Sequence, residues 1–130
     1  MTSSRERDGA DCEVLFALGQ VRTRQDNWPE AFDAFSATVS CARAAQAAAD
    51  RRLDEIAAAA LDAARRARMR RRTEDARAAA HAREGLATLR AAASAMRAGR
   101  PADARPLAER ALGWDRWAPD ARRLLQVLPR

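Results

Sequence analysis

Apolar residues recur at helical spacing near the start of the chain. Val14, Leu18 and Val21 lie at positions i, i+4 and i+7, which places them on one face of a helix. We therefore expect a helix over residues 11–25 whose apolar face packs into the core. Gly19 lies inside this helix, where a glycine costs about 1 kcal/mol relative to alanine. Its presence predicts that a neighbouring helix comes too close for a Cβ atom.

A second helix is predicted to follow almost at once. Asn27 is a suitable N-cap, Glu30 three residues later fits a capping box, and Pro29 lies in the first turn, where no amide donor is lost. The large apolar residues of this helix run at i, i+4, i+7 and i+11: Trp28, Phe32, Phe35 and Val39. This stripe predicts that the first two helices pack as a hairpin.

The middle of the chain contains few signals that end a helix. Because neither Gly nor Pro occurs between Ala31 and Glu84, the helix ends must be read from weaker features. Asp50 is a candidate cap, and Thr73 with the acidic residues after it is a candidate helix start. Two interpretations of Gly85 stay open: it ends a helix before a new one, or a single helix runs over residues 74–98.

The end of the chain has clearer punctuation. Gly99 stops one helix and Pro101 opens the next, while Gly113 stops that helix and Pro119 opens a last one. Six or seven helices are therefore predicted in one domain at residues 11–130, after a disordered tail at residues 1–10. The predicted hairpins span residues 11–47, 50–84 and 86–113, and the capping helix spans residues 118–128.

Composition supports an all-α fold with a thin core. The chain has 130 residues, of which 35 are alanine, the best helix former and a residue that buries little area. Tyrosine is absent and the β-branched residues that strands need are sparse. We expect helices that approach one another closely.

Charge is unevenly distributed along the chain, and all of the basic residues are arginine. The 24 basic residues exceed the 18 acidic ones by six, and residues 61–130 hold 17 arginines against 8 acidic residues. The densest cluster is RRARMRRR at residues 65–72, whose side chains spread around a helix at its regular rotation. Two interpretations stay open: a solvated helix end that complements the helix dipole, or a patch that binds anionic groups.

The remaining chemistry is limited. Cys12 and Cys41 lack metal-ligand spacing, and the chain lacks both a secretion signal and a long apolar run, so we expect reduced core thiols and a cytoplasmic location. His81 fits no motif for nucleophilic catalysis, and neither a phosphate loop nor a metalloprotease motif occurs. The sequence predicts no enzyme activity, no cofactor and no metal.

The first two helices resemble a tetratricopeptide repeat, with Leu15, Leu18-Gly19, Ala31, Phe35 and Thr38 at matching positions. The stretch AGRPADARPLAERAL is similar to the second half of the repeat in many bacterial members. The resemblance implies a right-handed solenoid of stacked hairpins that serves as a scaffold or adaptor and binds an acidic peptide or helix of a partner protein. Residues at the family's groove-lining positions are Phe16, Gln20, Arg24, Leu61, Arg65, Arg68, Leu89, Met96 and Arg97.

Two other functions are compatible with the sequence. Residues 65–72 could neutralise the phosphates of a nucleic acid, although the run lacks neighbouring aromatic residues for base stacking. Alternatively, the chain could be a subunit of a homo-oligomer or a larger complex that docks through Trp114 and Trp117. A purely structural interpretation has both tryptophans covering the open end of the helix stack. No membrane partner is predicted.

Overall fold

The computed structural model of the chain describes residues 4–129, and it describes side chains from residue 11 onward. Within that part the fold is all-α and has no strand, as predicted. Residues 4–129 form five helices and not the six or seven predicted: α1 (Ser4–Arg24), α2 (Trp28–Ala58), α3 (Ala63–Arg97), α4 (Pro101–Ala111) and α5 (Ala118–Val127).

The helix count is lower because α2 and α3 run through the predicted breaks. Asp50 lies inside α2 and caps nothing, and the cap of α3 is Asp62, whose carboxylate accepts a hydrogen bond from the backbone N–H of Arg65 at 2.8 Å. Thr73 lies inside α3, where its hydroxyl donates to the carbonyl of Met69. The predicted hairpin at residues 50–84 is therefore wrong in its bounds.

Gly85 also lies inside α3, so the interpretation with one unbroken helix is the correct one. A Cβ atom built on Gly85 would lie 2.5 Å from the indole ring of Trp114, which is too close for any real contact. The glycine thus makes room for a side chain from the segment after α4. Its role is close packing and not helix termination.

The N-terminal helix is longer than predicted. α1 begins at Ser4, so residues 4–10 of the predicted disordered tail lie in a helix, and residues 1–3 lie outside the described residues. The turn that follows α1 contains Asp26 in the left-handed region, at φ 55°. Asn27 caps α2 as predicted, because its side chain accepts a hydrogen bond from the backbone N–H of Glu30 at 3.4 Å.

The face that α1 buries is not the predicted one. Cys12, Phe16 and Gly19 point inward, and a Cβ atom on Gly19 would lie 2.5 Å from the ring of Phe35. The close approach predicted from Gly19 is therefore confirmed. The predicted core face of Val14, Leu18 and Val21 lies instead on the outside, with 66%, 41% and 41% of each residue exposed.

A disulfide links the first two helices. Cys12 of α1 and Cys41 of α2 are bonded, with their Cα atoms 5.4 Å apart. The prediction of reduced thiols is wrong, since it rested on the absence of a secretion signal and not on geometry. Because α1 and α2 are antiparallel, residues far apart in sequence meet across the hairpin and come within bonding distance.

Alanine builds most of the remaining core, as the composition predicted. Gly99, at φ 76°, ends α3 and lets the chain reverse into α4. α4 and α5 then pack on the last turns of α3 through alanines with no exposed surface: Ala92, Ala95, Ala104, Ala108, Ala111 and Ala121. Side chains this small allow the helix axes to approach closely.

Two regions differ in how many helices pack together. The arm consists of residues 50–77, the distal parts of α2 and α3 and their connection, and an ion pair between Arg77 and Asp50 at 2.6 Å lies at its base. Ile56 is its one buried residue. The body consists of residues 11–49 and 78–128, where five helices pack together. No helix in the described part is both long enough and apolar enough to cross a membrane.

Candidate functional site

The residues predicted to line a groove from the first hairpin separate into core and surface. Phe16 is buried, with its ring edge-on to Phe35 at 5.5 Å and the Arg83 guanidinium 4.0 Å from its ring centre. Gln20 is half-buried, and Arg24 is exposed at the end of α1. Phe16 therefore belongs to the core and does not form the floor of an open groove.

The predicted residues near the end of α3 divide in the same way. Leu89 is buried against Ala111 and Ala121, so it too is a core residue. Met96 is half-buried against the alanine cluster under α4. Arg97 is exposed, with its guanidinium 5.0 Å from the ring centre of Trp28. Of these three residues, Arg97 alone is available to a partner.

The third predicted set lies on the arm. Leu61 is half-buried in the connection between α2 and α3, and Arg65 and Arg68 are exposed on α3. At 1.5 Å of rise per residue, Arg68 and Arg97 lie roughly 43 Å apart along the axis of α3. The three predicted sets are therefore spread along the length of α3, and Phe16 and Leu89 among them are buried in the core.

What the arm does bring together is arginine. One member of the run, Arg66, turns back toward α2, where its guanidinium donates to the carbonyls of Ala59 at 2.7 Å and Ile56 at 3.4 Å. It thereby supplies partners for carbonyl groups that the end of a helix leaves unsatisfied. Arg66 is thus a structural residue.

The other arginines of the run face solvent. Arg65, Arg68, Arg71 and Arg72 are all exposed, and at 3.6 residues per turn they lie within about 120° of one another around the helix. The half-buried Met69 and Thr73 lie on the neighbouring side, about 40° and 80° from Arg65. The prediction that the run spreads around the helix holds for Arg66 and Arg70 but not for these four. We call the four the arginine stripe.

The arginine stripe has no ion-pair partner among the described residues. Acidic residues lie at both of its ends: Asp62 before it, and Glu74 and Asp75 after it. By the same rotation Asp75 lies on the side of the stripe, whereas Asp62 and Glu74 lie about 120° from its centre. The stripe is therefore a short positive surface of about two helical turns that is followed by one acidic residue. Each guanidinium keeps its planar set of donors free for a carboxylate or a phosphate.

A polar network at the edge of the body was not predicted from the sequence. Gln46 of α2 donates to Glu84 of α3 at 2.7 Å, and its side-chain oxygen lies 3.1 Å from Nδ1 of His81. Trp114 stacks on His81, with ring centres 5.1 Å apart, and donates to the carbonyl of His81 at 3.0 Å. The network satisfies the nearly buried Glu84 carboxylate, so its evident role is to hold α2, α3 and the segment after α4 together.

Both tryptophans after α4 lie against the body. Trp114 is half-buried over Gly85, and Trp117 is half-buried against the cluster that contains Leu89 and Ala121. The guanidinium of Arg116 lies 4.8 Å from the ring centre of Trp117. These contacts are those of the structural interpretation, in which the two rings cover the end of the helix packing.

Other features that could hold a ligand are modest. In the part of the chain with described side chains, no three His, Cys, Asp or Glu residues are grouped so that they could hold a metal ion. An open cavity of about 400 Å³ lies beside α4, but Arg105 in its wall already donates to the carbonyls of Leu128 and Pro129. The arginine stripe is therefore the strongest candidate site for a partner.

Comparisons with protein-family models, with curated proteins and with solved structures found no match to this chain.

Proposed function

We propose that this chain is a non-catalytic interaction protein and that the arginine stripe on the arm binds an acidic segment of a partner protein. The observation that carries the proposal is the set of four exposed guanidinium groups on one side of α3 with no acidic partner in the described part of the chain. Unpaired arginines on a projecting hairpin are accessible to a large ligand. Guanidinium groups bind carboxylates through two parallel hydrogen bonds.

The length of the arginine stripe favours a protein segment over a nucleic acid. A phosphate backbone that extends past Arg72 along this side of the helix would meet Asp75, whose carboxylate repels it. Residues 50–77 also contain no aromatic side chain on which a base could stack. An acidic helix or peptide of a few residues fits within the two turns of the stripe.

The proposal keeps the interaction role implied by the tetratricopeptide resemblance but moves the binding surface. We infer that the α1–α2 hairpin packs as such a repeat does, since Gly19 contacts Phe35 and both Ala31 and Thr38 are fully buried. The right-handed solenoid and its concave groove stay predictions. Since Phe16 and Leu89 are core residues, the arm is the better candidate for partner binding.

The disulfide bears on where such binding occurs. Structural disulfides persist in oxidising compartments and are rare in the reducing cytosol. The Cys12–Cys41 bond therefore favours an oxidising compartment over the predicted cytoplasmic location. Binding assays are accordingly done on the oxidised protein.

The test uses two labelled probes with equal numbers of negative charges: a glutamate-rich helical peptide and a duplex oligonucleotide. Fluorescence anisotropy is measured for the native chain and for the variant Arg65→Glu/Arg68→Glu/Arg72→Glu. We expect the native chain to bind the peptide and the variant to bind it at least about tenfold more weakly, because charge reversal replaces attraction by repulsion. Affinity for both probes is compared at low and at physiological ionic strength.

A matched control distinguishes the effect of the arginine stripe on binding from the effect of the chain's net charge. The variant Arg90→Glu/Arg110→Glu/Arg122→Glu makes the same charge change at exposed positions of the body. It is expected to bind the peptide within about twofold of the native chain, since long-range charge is screened. Equal loss in both variants, or tighter binding of the oligonucleotide than of the peptide, would show that the proposal is wrong.

A further inference from the structure

The arginine run at residues 65–72 lies at the end of α3 where positive charge is least favourable. α3 begins at Ala63, so Arg65 lies in its first turn and Arg68 in its second. The dipole of a helix places partial positive charge at its first turn, and the first turn of α3 contains no acidic residue. The interpretation in which the run complements the helix dipole is therefore wrong, because it requires the run to end a helix and not to begin one.

The arginines of the run also repel one another. Side chains three or four positions apart are neighbours on a helix, and like charges at these spacings destabilise it. The run contains four such pairs: Arg65 with Arg68, Arg66 with Arg70, and Arg68 with both Arg71 and Arg72. Residues 62–72 hold six arginines against the single carboxylate of Asp62. Glu74 and Asp75 follow the run, so they reduce the repulsion mainly at its far end and not at its beginning.

Few contacts hold this part of α3 in place. Residues 63–77 include no buried residue, and Arg66 is the one arginine of the run whose guanidinium bonds to α2. The four guanidinium groups of the arginine stripe form no ion pair with any described residue. The stabilisation that a buried core would supply is therefore missing from the part of the helix where the arginines repel one another.

We propose that its own arginines destabilise the beginning of α3 and that an oxyanion bound to the arginine stripe orders it. The four guanidinium groups lie within about two helical turns, so one ligand with several carboxylates contacts them together and replaces repulsion by attraction. Binding and order in the arm are then linked, and the arm opens more often without a ligand than with one. The kind of partner rests on the proposed function, whereas the instability of the arm does not.

Hydrogen exchange of the oxidised chain at low ionic strength tests the instability. Arg68→Gln removes three of the four like-charge pairs and keeps a side chain of similar helix propensity. Amides of residues 67–75 are expected to exchange about threefold or more slowly in this variant than in the native chain. The matched control is Arg51→Gln, also at an exposed position of the arm, whose neighbours at i+3 and i+4 are the acidic Asp54 and Glu55. This control removes attraction and not repulsion, so it is expected not to slow exchange.

Added anions test the ordering. Sodium sulfate is expected to slow exchange of residues 67–75 in the native chain more than sodium chloride at equal ionic strength, because sulfate oxygens accept paired guanidinium hydrogen bonds. Amides of residues 84–95 in the body measure the general stabilising effect of sulfate, which is subtracted. Exchange that is unchanged or faster in Arg68→Gln, or equal slowing by the two salts, would overturn the proposal. Protection by sulfate but not by the glutamate-rich peptide would support it and count against the proposed function.

Discussion

The body and the arm both contain α2 and α3, but the two regions differ in how many helices surround that pair. In the body, α2 and α3 are flanked by α1, α4 and α5, so aromatic rings and alanines are enclosed on several sides. In the arm the same two helices continue without neighbours and bury only Ile56. In the arm each long helix is supported by one partner helix only, whereas the buried core of the body is formed where further helices pack on the pair.

The two regions also differ in composition: the arm is rich in charged residues and poor in the large apolar residues that stabilise the body. Residues 50–77 contain nine arginines and six acidic residues but only four large apolar side chains, Leu53, Ile56, Leu61 and Met69. Two-helix hairpins bury too little surface to be strongly stable, so the arm is the region expected to open locally while the body stays folded. The arginine stripe therefore lies on the arm, the region whose helices can become more ordered when a partner binds.

The largest effect is predicted for the core of the body. Phe35→Ala removes a fully buried ring that fills the space left by Gly19 and contacts Phe16. We expect the free energy of unfolding to fall by about 3–5 kcal/mol, measured by chemical denaturation. Phe32→Ala, at a half-buried position, is the control and is expected to cost less. Equal losses at the two positions would mean that Phe35 is not at the centre of the core.

The next largest effect concerns the disulfide. Cys12→Ser/Cys41→Ser removes a bond between residues separated by 29 positions in sequence. The expected loss is about 2–4 kcal/mol, because the unfolded chain regains the entropy of an open loop of this size. Denaturation of the native chain with and without a thiol reductant gives the same comparison. A reductant that leaves the stability unchanged would count against a bond that constrains the body.

A smaller effect is predicted for the arm. Ile56→Ala removes the arm's one buried side chain. Global stability is expected to fall by no more than about 1–2 kcal/mol, because the arm cannot lose more free energy than its own opening requires. Hydrogen exchange is the more sensitive measurement: amides of residues 52–74 are expected to exchange at least tenfold faster, and those of residues 84–95 to be unchanged. Faster exchange in both ranges would show that arm and body unfold as one unit.

Much of the body could be predicted from the sequence, because local signals there agree with tertiary packing. Asn27 marks a helix end by its side-chain oxygen, and Gly99 and Pro101 mark helix ends by their backbone geometry, so those ends were predicted correctly. The face that α1 buries was not predicted correctly. The large apolar residues indicated one face and Gly19 another, about 130° away, and the packing partner that selects between them is Phe35.

The candidate site was less accessible to sequence analysis. In the alanine-rich middle of the chain helix propensity is nearly uniform, so a long helix and two short ones look alike. The groove was expected at Phe16 and Leu89, which are core residues, because the repeat pattern does not indicate that Arg83 covers Phe16 or that Ala111 and Ala121 pack on Leu89. One signal was present: Asp62 is a good N-cap residue that accepts from Arg65, and it would have placed the arginine run near the start of a helix.

The smallest effect is predicted at the boundary between the two regions. The Arg77–Asp50 ion pair at the base of the arm is partly exposed, with 43% and 55% of the two side chains accessible, so its contribution to stability is about 0.2–1 kcal/mol. Arg77→Gln is therefore expected to leave the global free energy of unfolding nearly unchanged and to speed hydrogen exchange within residues 52–74 by a few-fold, more at low salt than at high salt. The control Glu55→Gln removes a pair between residues three apart on α2, which does not join the two helices. If Glu55→Gln speeds exchange in α3 as much as Arg77→Gln does, the pair does not close the base of the arm, and the boundary between arm and body lies elsewhere.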